Sequence, residues 1–212
     1  VQMKISTLVK RKIEKYQPQG SLDQTAKIFL ALSGVQHPEV KVHLERVALL
    51  SEAVALKLHK DGKAAFFAGL LHDIGKIVLP YYLFDGRNIT AEEYAEVKRH
   101  AVAGVEALKD FHEFTALCAG LHHAVYKAGY GLTVEDFPKH WNPATIKKVL
   151  NISTIISICD FVDAYSHRDT KIKDGSDEAG PTLREMLLGK YPEDRLLIDA
   201  ALEENKKKQY SE

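Results

Sequence analysis

The chain has 212 residues, 45% hydrophobic and 27% charged, the profile of a globular protein able to build one sizeable core. Lysine plus arginine and aspartate plus glutamate stand at 29 each, so the formal net charge is zero. That balance argues against general nucleic-acid binding and against attachment to an anionic membrane, while leaving room for a local basic patch. Cys118 and Cys159 each sit in an apolar run and read as buried free thiols of a reducing, cytoplasmic compartment. No apolar run approaches membrane-spanning length, and no signal peptide is recognised.

Residues 1–20 read as a helical extension, amphipathic from Met3 to Tyr16 and broken by Pro18 and Gly20. It is either an arm that docks on a protein partner or a second copy of the chain, or a loosely attached tail. Residues 21–205 read as one all-α domain and 206–212 as a polar tail. Ser21 and Asp23 can cap a helix through Leu32, which Gly34 and Pro38 end. From Pro38 to about His59, Val42, Leu44, Val47, Leu50, Val54 and Leu58 recur at helical spacing. After a turn at Lys60-Asp61-Gly62, Ala64 to Leu71 predicts a helix buried on most sides, delivering His72 and Asp73 at its end.

Pro80 to Asn88 is aromatic and irregular. Thr90 and Glu93 form a capping box for one helix that carries His100 and continues to about Leu108. Phe114 to His123 predicts an apolar helix ending in a histidine pair, and Tyr126 to Asn142 predicts a loop over a site. Thr145 to Tyr165 is β-branched yet of helical length, with polar groups only at intervals, and reads as a buried helix. His167 to Pro181 reads as a charged mobile loop, followed by helices over Leu183 to Leu188 and Pro192 to about Lys206.

Seven potential nitrogen and oxygen ligands with no thiolate, His43, His72, Asp73, His100, His122, His123 and Asp160, are scattered along this helical chain. Such a set can hold two divalent metals. Imidazole with carboxylate suits Fe, Mn, Zn, Ni or Co, with Fe or Mn preferred here and Mg retained as an alternative. A carboxylate has two oxygens, so Asp73, directly after a candidate ligand at a helix end, is the natural bridge. Adjacent helical residues point roughly 100° apart, so His122 and His123 can share a metal only if their helix ends there. A lone histidine on a half-apolar helix is usually an ordinary core or surface residue, the reading given to His37, His59, His112, His140 and His167. The joint occurrence carries the case.

The order His43, His72-Asp73, His100, His122-His123, Asp160 resembles the HD-domain superfamily of metal-dependent phosphohydrolases. His72-Asp73-Ile-Gly-Lys76 is similar to the signature HDIGK. The likeness extends from His43-Leu-Glu-Arg46 through Lys98-Arg-His100-Ala-Val-Ala-Gly104 to Asp160-Phe-Val-Asp163-Ala and Arg168. Within the superfamily the HD-GYP branch, whose members hydrolyse cyclic di-GMP, is most similar. The resemblance implies a single helical bundle in which one metal takes His43, His72, Asp73 and Asp160 and a second takes Asp73, His100, His122 and His123. A hydroxide bridging the two would attack the phosphorus of a small anionic substrate. Lys76 and Arg168 would neutralise phosphate oxygens. Glu39, one turn before His43, sits where some relatives place another ligand, but reads here as a solvated glutamate.

The branch pattern HHExxDGxGYP is degenerate here: Ala124 replaces the Glu, Lys127 replaces the Asp, Gly129-Tyr130 is displaced by one residue and the proline is absent. Lys127 thus offers a cation to an anionic substrate, or marks a lapsed site. Three functions are compatible with these residues: a dinuclear phosphodiesterase or nucleotide hydrolase, an HD-type di-iron oxygenase, and a non-catalytic metal-binding signalling domain.

Overall fold

The computed structural model of the chain describes residues 3–17, 20–167, 180–207 and 210–211. Helix α1 (Ile5–Tyr16) buries Ile5, Val9 and Ile13, four residues apart, on one stripe. That stripe lies against the chain's own helix α3 (Pro38–Lys57), so it is neither a free arm nor a loose tail. Polar contacts fix the pairing: Ser6 donates to Glu45 at 2.8 Å, Lys12 meets Glu52 at 2.6 Å, and Tyr16 donates to Glu52. At the edge of α1, Met3–Lys4 pairs in parallel with Tyr210–Ser211 from the far end of the chain.

Helix α2 (Leu22–Gln36) runs through Gly34, contrary to the predicted stop. A helical glycine costs only about 1 kcal/mol relative to alanine, whereas Pro38 pushes the residue before it out of helical geometry. The break therefore falls at His37 (φ −144°, ψ 78°), and Pro38 opens α3 at a position where its missing N–H costs nothing. Asp61 caps helix α4 (Gly62–Leu71) by accepting from Ala64 N at 2.9 Å, and α4 is buried nearly all round, as predicted. Two 3-10 turns follow, Ile74–Val78 and Tyr81–Leu83.

The predicted single helix behind Thr90 is two, α5 (Ala91–Lys98) and α6 (His100–Leu108), although the Thr90–Glu93 capping box forms as expected. At the joint, the His100 imidazole Nδ1 donates to Val97 O at 2.6 Å, taking up the carbonyl an uninterrupted helix would use. Helix α7 (Glu113–Leu121) is capped by His112, whose Nδ1 accepts from Thr115 N.

Helix α8 (Pro143–His167) is the central rod, packed against α3, α4 and α7 and against the closing helices α9 (Leu183–Lys190) and α10 (Arg195–Lys206). By length and composition alone α8 could cross a membrane, contrary to the expectation that no apolar run is long enough. Its apolar residues are instead core: Val149, Ile152, Ile155, Ile156, Ile158, Cys159 and Val162 pack with Val47, Val54, Ala65, Ala68, Leu117 and Ile198. A second cluster joins α1, α2, α3 and α4 through Ile13, Leu30, Leu44, Phe66, Phe67 and Leu70. With α3 and α4 shared by both clusters, the ends of α4, α7 and the α5–α6 joint converge on the N-terminal part of α3 and the C-terminal part of α8.

Candidate metal centre

Three histidines emerge where helices end or break, and each uses the same local bond. The last carbonyls of a helix lack intrahelical donors. His72 Nδ1 donates to Gly69 O at 2.8 Å, His100 Nδ1 to Val97 O at 2.6 Å and His122 Nδ1 to Ala119 O at 2.6 Å, each three residues back. The bond fixes ring orientation and tautomer, leaving Nε2 as a bare lone pair. Helix α7 ends at Leu121, so His122 and His123 lie just past it, the condition under which neighbours can serve one site.

His43, on α3, is oriented differently. Its Nδ1 lies 2.8 Å from Asp163 on α8, and Arg46 grips Asp163 with two bonds of 2.7 and 3.0 Å. Its Nε2 thereby faces inward, 3.1 Å from Asp160 and 3.6 Å from Asp73.

All of these converge on Asp73. Its Oδ1 lies 2.9 Å from His100 Nε2 and 3.6 Å from His122 Nε2; its Oδ2 lies 3.4 Å from His72 Nε2 and 3.6 Å from His43 Nε2. The seven predicted residues form two groups sharing Asp73, one with His100, His122 and His123 and the other with His43, His72 and Asp160. Within each, one donor atom per residue lies within 4.8 Å of the others.

The arrangement fits cations. His72 Nε2 and Asp73 Oδ1 are buried without a hydrogen-bond partner, and His100 Nε2 and His122 Nε2 face each other at 3.5 Å with both Nδ1 protons already committed. Lone pairs turned toward one another in a dry interior repel unless positive charge lies between them.

Burial works against ionised Asp73, yet its charged surroundings, the Lys76 ammonium foremost, hold its carboxyl well below the usual range. Asp160 is lowered likewise, with His43 overcoming burial. Burial alone would lower His43, but the hydrogen bonds its ring donates to Asp160, Asp163 and Asp73 raise it well above the ordinary value. His123 is pushed down to about 2 by burial and by its neighbour His122. Its ring stacks on that of Tyr130 at 4.5 Å, so Tyr130 lies beside the cluster.

A cavity of about 450 Å³ has His43, His100, His123, Asp160 and Lys76 in its lining. Lys76 also contacts Asp73 directly. Lys127 is exposed and not part of that lining, and Arg168 lies outside the described residues, as does most of the predicted mobile loop. Glu39 is exposed yet borders the cavity. Sequence reasoning gave no role to Asp163 or Arg46, although both stood inside the quoted motifs, and it missed Lys190, which borders the cavity from α9.

This helical bundle with a shared histidine and aspartate cluster defines a class. The chain belongs to the HD domain family, whose model matches residues 40–165. Among solved structures it is similar to the HD domain of the Listeria monocytogenes phosphodiesterase PgpH, at 20% identity and a TM-score of 0.56 over 84% of this chain and 97% of that one. The same domain in complex with cyclic-di-AMP matches at 20% identity and 0.55, over 84% and 96%. No curated protein matches.

Proposed function

We propose that the chain is a metal-dependent phosphodiesterase acting on a nucleotide-type phosphodiester, with a cyclic dinucleotide as the leading candidate. The observation that carries this is the division of Asp73: each carboxylate oxygen faces a separate set of imidazole Nε2 atoms. His43, His72, Asp73 and Asp160 would hold one divalent cation, and Asp73, His100, His122 and His123 a second. Such cations would supply Lewis acidity at phosphorus and lower the pKa of bound water. Iron or manganese suits the histidine and aspartate donors.

The chain's own groups do the positioning. The carbonyls of Gly69, Val97 and Ala119 and the carboxylate of Asp163 hold four imidazoles in register. Lys76 borders the cavity beside Asp73 and can neutralise a phosphate oxygen there. Burial of the cluster excludes bulk water and strengthens these interactions. The cyclic-di-AMP complex of the structural neighbour supports the choice of dinucleotide.

A panel of phosphodiesters and nucleotides, assayed with added Mn²⁺ or Fe²⁺, tests the reading. Metal-dependent hydrolysis lost in Asp73→Ala supports it. Turnover unchanged in that variant, or a product formed only with iron and O₂, overturns it.

A further inference from the structure

Lys190 is the last residue of α9 and half-buried. Its ammonium lies 4.2 Å from the centre of the Tyr126 ring and 4.7 Å from that of Phe161, and all three residues border the same cavity as the metal cluster. Tyr126 in turn packs edge-on against His123, and its hydroxyl lies 3.5 Å from His123 Nδ1. The lysine is thus one tyrosine ring away from a cluster imidazole. Lys76, the other lysine in this lining, comes from the turn after α4 and meets Asp73 and the Phe84 ring instead.

A lysine at a helix C-terminus is favourable in itself, and two π faces hold an ammonium. Those effects explain why the side chain stays ordered; they do not require it to border a cavity. Charge does bear on that placement. Two divalent cations and Lys76 set against Asp73, Asp160 and Glu39 would leave the cavity more positive than one monoanionic diester can neutralise. Its volume is also that of a site for a whole small molecule, not for one phosphate.

We propose that Lys190 is the specificity-determining cation of this cavity, binding a second phosphate of the substrate while the scissile diester sits at the metal cluster. Its ligand class is a molecule with two separated phosphates, such as a dinucleotide, as against a simple diester. The inference rests on the phosphodiesterase reading above and adds a residue that the family signature does not contain.

The test compares Lys190→Met and Lys190→Arg with the parent protein, all loaded with Mn²⁺, on cyclic di-AMP and on bis(p-nitrophenyl) phosphate, which has one phosphate. A charge-assisted contact corresponds to about tenfold in affinity. Lys190→Met should raise KM for cyclic di-AMP by about tenfold with kcat nearly unchanged and leave KM for the simple diester alone, and Lys190→Arg should restore most of the loss. An equal effect on both substrates, or no effect on either, overturns the proposal. Parent protein that cleaves the simple diester yet neither binds nor cleaves cyclic di-AMP overturns it too, while the hydrolase reading stands. If neither is cleaved, that reading falls, and calorimetric binding of cyclic di-AMP decides Lys190. About tenfold weaker binding in Lys190→Met upholds its role, and equal or absent binding overturns it.

Discussion

Asp163 holds His43 by its Nδ1 at 2.8 Å, and with it the choice of which ring nitrogen turns inward. A carboxylate only accepts, so Nδ1 carries the proton and Nε2 faces Asp160 and Asp73. Arg46 locks the acid with a two-pronged grip, so one contact registers α3 against α8. Removing such a supporting carboxylate typically costs 10–100-fold in metal affinity, on the order of what Asp163→Asn should show. Titration of Mn²⁺ into chelator-stripped protein measures it. Affinity equal to that of the parent would show that Asp163 does not orient His43.

The raised pKa of His43 has a defined sign. A group whose folded-state pKa exceeds its unfolded value adds stability that is complete below the unfolded value and is lost as pH rises through the folded one. In metal-free protein the gap in melting temperature between the parent and His43→Gln should therefore be widest near about pH 6 and narrow as the solution is made alkaline. Metal requires the neutral ring, so Mn²⁺ should stabilise the parent more as pH rises over the same span. A gap that widens with pH in metal-free protein would contradict the assignment.

Gly75 sits in the turn after Asp73, where any side chain would run into the carbonyl oxygen of His100 and come within 2.6 Å of Gly104 N. Gly75→Ala must push α6 outward, at a cost of about 1–3 kcal/mol for overpacking. His100 moves with α6, away from Asp73. The variant should melt earlier and lose one of two ions while the side held by His43, His72 and Asp160 keeps its own. Full metal content in a folded variant would contradict this.

Burial pushes both Cys118 and Cys159 up to about 12, so almost no thiolate exists at neutral pH. A small thiol reagent at about pH 8 should leave the native protein unlabelled and modify both residues after denaturation. Rapid labelling of native protein would show that α7 and α8 are not packed as described.

Much of this was legible in the residues because adjacency and spacing carry it. His72-Asp73 and His122-His123 announce two helix ends, and the apolar spacing from Val42 to Leu58 announces α3. Other features depend on contacts that spacing does not encode. The joint at Arg99 arises because a histidine side chain takes the Val97 carbonyl, which no propensity scale registers. Lys127 looked like a site cation from its place in the motif, yet the chain past α7 turns it to solvent. Lys190 is one lysine among many in the sequence, and only the packing of α9 on α8 brings it to the cavity.

The central claim is the shared carboxylate, and metal content measures it directly. Protein purified without chelators and reconstituted with Mn²⁺ or Fe²⁺ should hold about two ions per chain, about one in His100→Ala, and close to none in Asp73→Ala. A parent protein that binds a single ion, or an Asp73→Ala variant that still binds two, would contradict the account.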